Sequence, residues 1–133
     1  MSGIAAISRE ILEGAWSGGP FDEGPYAPDY VFVGPLVPDG VHGAEGEREL
    51  IAGYRRSFPD LTFAVEEQIV DGDRVVSRWT ASGTHEGEFA GIAPTGRRGV
   101  VGGVSIARFA GDRLTNVWTM WDVHGLLDQL GRS

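Results

Sequence analysis

The residues with chemistry to offer gather toward the C-terminal end. In the run LTNVWTMWD, Leu114 to Asp122, apolar and polar residues alternate with the two-residue period of a β-strand. Asn116, Trp118, Met120 and Asp122 then share one face, and Thr115, Val117, Thr119 and Trp121 the other. An ionised carboxylate at the end of a face carrying Trp118 and Met120 is poorly solvated, so its pKa rises and it is placed to move protons. The same aspartate stands directly before Val123-His124-Gly125-Leu126-Leu127, where it would cap a helix by accepting a backbone N–H. Both readings of Asp122 stand. On a second strand Val75, Ser77, Trp79, Ala81, Gly83 and His85 share a face. His85 ends it, where an imidazole can donate to a substrate oxygen, share a proton with Asp122, or simply anchor a loop. Trp79, Trp118 and Met120 are candidates to hold the apolar body of a ligand, and Tyr30, Tyr54 and Tyr26 offer hydroxyls either to a ligand carbonyl or to aromatic packing. The chemistry this set suits is proton transfer by a carboxyl group, with a hydrogen bond to a substrate oxygen.

Other chemistries find no footing. The histidines His42, His85 and His124 are scattered without metal-ligand spacing, so no metal is expected. His42 and His124 read as surface residues, Glu86 and Glu88 as solvated ones. Ser105 lies in Gly103-Val104-Ser105-Ile106-Ala107, inside a strand rather than at a strand-to-helix turn, and is not a triad serine. There is no GxGxxG after a strand and no GxxxxGK[ST], so side chains alone, without a cofactor, must do the work. With no cysteine there is neither disulfide nor thiolate nucleophile. A net charge of -8 disfavours nucleic acid and anionic membrane surfaces as partners. Met1 to Trp16 holds Arg9, Glu10 and Glu13 and no continuous apolar run, so neither signal peptide nor membrane span is expected and the location is taken as cytoplasmic.

The elements that must position these residues follow from periodicity. The 133 residues, 41% hydrophobic, suit one domain covering 1–133. Ile4, Ile7, Ile11 and Ala15 mark an amphipathic helix over roughly Gly3 to Trp16. Ser17 to Pro28 is a Gly- and Pro-rich connector, Tyr30 to Val33 a short strand, and Gly34-Pro35 with Pro38-Asp39-Gly40 a set of turns. A second helix begins near Ala44, carries Leu50, Ile51, Tyr54 and Phe58, and stops at Pro59. From there period 2 takes over: Leu61 to Val70 and Arg74 to Thr84 flank Asp71-Gly72-Asp73, and Val100 to Phe109 and Leu114 to Asp122 flank Ala110-Gly111-Asp112-Arg113. Val123 to Leu130 forms a closing helix. Ten-residue strands reach about 33 Å, so the hairpins must curl, and helices first with antiparallel strands second make an α+β cone with a pocket inside. A bulge in either hairpin would reverse every inward assignment beyond it.

Several short motifs fall together between Val41 and Gly131: His42-Gly43-Ala44-Glu45-Gly46, Phe58-Pro59-Asp60-Leu61, Gly72-Asp73-Arg74-Val75, Gly83-Thr84-His85-Glu86-Gly87-Glu88-Phe89, Pro94-Thr95-Gly96-Arg97-Arg98, and Trp121-Asp122 with Gly125-Leu126-Leu127-Asp128-Gln129-Leu130-Gly131. In these the chain resembles the SnoaL-like polyketide cyclases of the nuclear transport factor 2-like superfamily. The resemblance implies the cystatin-like α+β barrel of that superfamily, a cone-shaped curved antiparallel sheet wrapped around N-terminal helices. It implies that Asp122 is the general acid/base of a cofactor-free intramolecular aldol ring closure and that His85 lies near the pocket. It also implies a small hydrophobic or aromatic ligand and a homodimer. Relatives often carry a polar His-Asp-Pro after the first strand, where this chain reads Val33-Gly34-Pro35. A non-catalytic ligand-binding or dimerisation module of the same fold is the alternative.

Overall fold

The computed structural model describes residues 3–131. Helix α1 (Gly3–Glu13) and a 3-10 turn (Ala15–Ser17) lead to strands β1 (Tyr26–Gly34) and β2 (Val37–His42) and helix α2 (Gly43–Ser57). Then come β3 (Thr62–Asp71), β4 (Arg74–Thr84), β5 (Arg98–Ala110), β6 (Arg113–Trp121) and helix α3 (Val123–Gln129). The fold class is α+β, as the periodicity predicts. Both hairpins form where expected, Gly72 and Gly111 supplying the left-handed turn residues at φ 61° and 64°. The sheet has six strands in the order β2-β1-β6-β5-β4-β3 and is open rather than closed into a barrel.

Two features depart from the sequence reading. The sheet is mixed: β1 runs parallel to β6, the other neighbours being antiparallel. These two strands are far apart in the chain, so no hairpin dictates their sense. The segment read as turns around Pro38 is β2, an edge strand, where a missing N–H costs no ladder bond. Likewise β1 starts at Tyr26 because a register shift between Tyr26 and Val31 absorbs Pro28.

Side-chain ties fix the helices over the concave face. Glu13 accepts from Val65 N–H at 2.8 Å and Ser17 Oγ from Phe63 N–H at 2.9 Å, which covers the free edge of β3 with the end of α1. The Arg55 guanidinium on α2 donates to the carbonyls of Trp16, Leu61 and Pro59. Gln129 pairs with both backbone groups of Val100, at 2.7 and 2.8 Å, and so docks α3 on β5. Among the described residues no helix is long and apolar enough to cross a membrane.

Candidate active site

On β4 the alternation holds: Val75, Ser77, Trp79 and Ala81 are buried on the concave face. On β6 it is reversed from the sequence reading. Phe109 pairs with Leu114 and Arg108 with Asn116, so Thr115 is an extra residue, and the strand changes face there. Leu114, Val117, Thr119 and Trp121 therefore face inward. Trp118 and Met120, expected inside, are 38% and 70% exposed on the outer face, opposite Ile106 and Val104. Both faces of β6 carry a tryptophan, so hydrophobicity could not choose between them.

The inward residues and the helices line a cavity of about 100 Å³ that opens to solvent at one end. Its walls are aromatic: Trp16, Phe32, Tyr54, Phe63, Trp79 and Trp121. Strand register gives it an axis. Leu36, 42% exposed, lies at the open end, where Gly83 of β4 pairs with Gly99 of β5. Ser77, Ala107, Leu114 and Glu47, all buried, form the closed end. Between them Trp79 lies across Gly103, where an added Cβ would come within 2.4 Å of the indole. Its Nε1 donates to Ser105 Oγ at 3.0 Å, and Ser105 Oγ in turn bonds Thr119 Oγ1 at 3.0 Å, a polar strip in an otherwise apolar wall. Ser8, on α1, also lines the cavity, its buried Oγ without a hydrogen-bond partner.

Glu47 is the functional candidate that the sequence reading passed over. It is 1% exposed, and it is the carboxyl group among the lining residues. Tyr26 OH donates to Oε2 at 2.5 Å and Tyr30 OH donates to Oε1. Burial pushes the carboxyl's pKa up, and the donors Tyr26 and Tyr30 offset part of that rise. Both tyrosines are driven well above their ordinary range, by burial first and then by the charge of Glu47, so they remain protonated donors. The signal was in the helix period: Glu47, Ile51, Tyr54 and Phe58 sit on one face of α2, and an acid on an apolar stripe needs a reason.

The other candidates fall as follows. Tyr54 lines the cavity, and burial pushes its hydroxyl up to about 12. Tyr30 is fully buried behind Glu47 and meets the cavity only through it. His85 is buried away from the lining, beside Phe58 with ring centroids 5.6 Å apart. Its Nδ1 accepts the Thr95 N–H and bonds Thr95 Oγ1, holding the loop after β4, while Nε2 has no partner. Asp122 is exposed and caps α3, accepting Gly125 N–H at 2.8 Å. It stands between Trp121 and Leu126, both lining residues at the open end, and the structure joins it to the α3 cap rather than to His85. His42 is exposed, and His124 lies 3.3 Å from Asp128 on the surface of α3. Among the described residues no group of three His, Asp or Glu side chains is placed to hold a metal ion.

A family model described as SnoaL-like polyketide cyclase matches residues 9–130. The chain belongs to that family. IdmH of Streptomyces antibioticus, a candidate polyketide cyclase, is 30% identical over 98% of this chain and 100% of its own, with a TM-score of 0.82. AclR of Streptomyces galilaeus, a candidate hydroxylase, is 32% identical over 80% of this chain and 78% of its own, TM-score 0.70. A protein of Catenulispora acidiphila with a ketosteroid isomerase-like fold, crystallised with trimethylamine, superposes over 100% of this chain and 95% of its own at 16% identity and TM-score 0.81, a likeness of fold. No curated protein matches the sequence. These proteins share the fold while their suggested activities differ.

Proposed function

We propose that this family member is a cofactor-independent cyclase or isomerase-like enzyme that closes a ring in an apolar carbonyl compound by intramolecular aldol chemistry. The observation that supports it is the cavity: aromatic walls to hold and dry the substrate's body, with the carboxyl group of Glu47 in its lining. Asp122 is the acid/base that the family resemblance offers, at the open end beside Trp121. Turning its carboxylate inward breaks one cap bond, a cost of about 1 kcal/mol.

The test is ring closure of an aryl-substituted β-polyketone ester, followed by liquid chromatography. The protein is expected to outpace buffer, and Asp122→Asn, which caps nearly as well, to lose turnover. Unchanged turnover in that variant removes Asp122 from the mechanism. The second reading, binding without turnover, has one observation in its favour: Gly34 and Pro35 line the cavity without contributing a polar side chain. It gains the field if the protein binds an apolar aromatic probe but accelerates no ring closure.

A homodimer belongs to the same proposal. The outer face presents Val104, Ile106, Trp118 and Met120 side by side, rimmed by the pairs Arg78–Glu67 and Arg108–Asp73. Apolar centre and rim of both signs suit a second copy of the same face across a two-fold axis.

A further inference from the structure

We propose that Glu47, with Tyr26 and Tyr30 as its donors, is a catalytic carboxyl at the closed end of the cavity, exchanging a proton with the carbonyl end of the bound substrate. The proposal rests on the reading that the cavity takes an apolar carbonyl compound.

Three observations carry it. First, Glu47 is fully buried and yet faces the cavity rather than a cation: Arg48, next to it in sequence, turns outward to Glu23 and Glu45. Burying a carboxyl is costly, and an apolar side chain would pack there without that cost. Secondly, every partner of Glu47 points a hydrogen at it. Tyr26 and Tyr30 donate from β1. The tyrosine donors offset part of the cost of ionising this buried carboxyl, while a proton on it finds its acceptor on the cavity side, where a substrate oxygen would lie. Thirdly, the cavity holds another polar group awaiting a ligand: Ser8 Oγ is buried without a partner. The strands opposite add the uncharged Ser77, Ser105 and Thr119, and the charge of Asp22 acts on Tyr26.

The substrate class follows as a 1,3-dicarbonyl compound on an apolar ring body, entering carbonyl end first. Ionised Glu47 takes the proton from the carbon between the carbonyls. That C–H bond breaks and its electron pair moves into the enolate. The enolate carbon bonds to the carbon of a third carbonyl, further along the same molecule, whose π pair becomes an alkoxide. Asp122, at the mouth, protonates the alkoxide and is reprotonated through solvent by the proton that Glu47 gives up, so no co-reactant is consumed.

The test uses 2-naphthol as a fixed enol and reads its fluorescence on binding from pH 4 to 8, where the probe stays neutral. A hydrogen bond to an ionised acceptor is stronger than one to a neutral acceptor. Affinity is therefore expected to rise about tenfold as Glu47 ionises. Glu47→Gln, close to isosteric, should show no rise; Asp122→Asn should keep it. Tyr30→Phe removes a donor to the carboxylate and should move the rise to higher pH, which a merely structural role would not do. An identical rise in Glu47→Gln, or none in the wild type, overturns the proposal. In the ring-closure assay Glu47→Gln should lose at least 100-fold in kcat with KM within a few-fold; full activity overturns the catalytic role. If the wild type closes no ring while the naphthol titration stands, the cyclase reading falls and the proton-exchanging site remains.

Discussion

Gly103→Ala probes the cavity wall directly. The added methyl would lie 2.4 Å from both Cη2 and Cζ2 of Trp79 and 3.0 Å from the Met120 carbonyl oxygen, so something must move. The strand cannot yield easily, being paired on both sides, with Trp79 on β4 and Trp121 on β6. Trp79 is 3% exposed, packs on Phe63 at 4.8 Å and is tethered by its Nε1 to Ser105. Overpacking costs about 1–3 kcal/mol, and displacing the indole adds the buried hydrogen bond, about 1 kcal/mol. The sum, about 2–4 kcal/mol, corresponds to a midpoint lowered by roughly 8–15 °C in a domain of this size. The neighbouring Gly102→Ala is the control. Its Cβ would meet only the Trp79 carbonyl oxygen, at 3.8 Å, on the opposite face of the strand. It should leave stability unchanged or raise it by about 0.4–1 kcal/mol through the unfolded state. Urea unfolding and thermal melts of the pair decide the matter. Equal stability of the two variants, or a larger loss in Gly102→Ala, would refute the assignment of Trp79 and Gly103 to the cavity face.

Asp122→Ala should destabilise the protein by about 1 kcal/mol through loss of the α3 cap, and Asp122→Asn by less than half of that, both read by urea unfolding. Met120→Glu places a charge at the centre of the outer face and should convert a dimer to monomers in light scattering, without altering the melt of the monomer. Two carboxyl groups should bend the pH–stability curve in opposite senses. Asp60 is held below the usual range by the Thr84 N–H and hydroxyl, so its contribution is present above the unfolded value and lost as pH falls toward the folded one; Asp60→Asn abolishes that acid-side loss. Glu47 has a raised folded value, so its contribution is greatest below about pH 4.3 and lost as pH climbs to that value; Glu47→Gln flattens the decline in denaturation midpoints.

Local signals made the fold legible. The Asp-Gly turn at Gly72, the glycine at Gly111, the helical stripe of Tyr54 and Phe58, and the Pro59 stop each specify their element without help from the rest of the chain. What stayed hidden depends on partners remote in sequence. That β2 is a strand follows from β1 offering it an edge, and that β1 lies parallel to β6 follows from how the hairpins curl. Neither is written in the segment concerned.

The site divides along the same line. On β4 one face is apolar and the other carries Arg74 and Arg78, so Trp79 was correctly turned inward. On β6 a single extra residue, Thr115, decides whether Trp118 or Trp121 faces the cavity, and an outer face that is itself apolar removes the usual contrast. Asp122 stands out in a linear reading because its carboxylate follows a tryptophan on that strand. Glu47 stands among Glu45, Arg48 and Glu49 and looks solvated until the helical period is applied. The period then sets it apart from those exposed neighbours, and β1 brings Tyr26 and Tyr30 to its two oxygens. A buried acid met by two tyrosine donors is a property of the assembled α2–β1 pair, which explains why chain order alone pointed to Asp122.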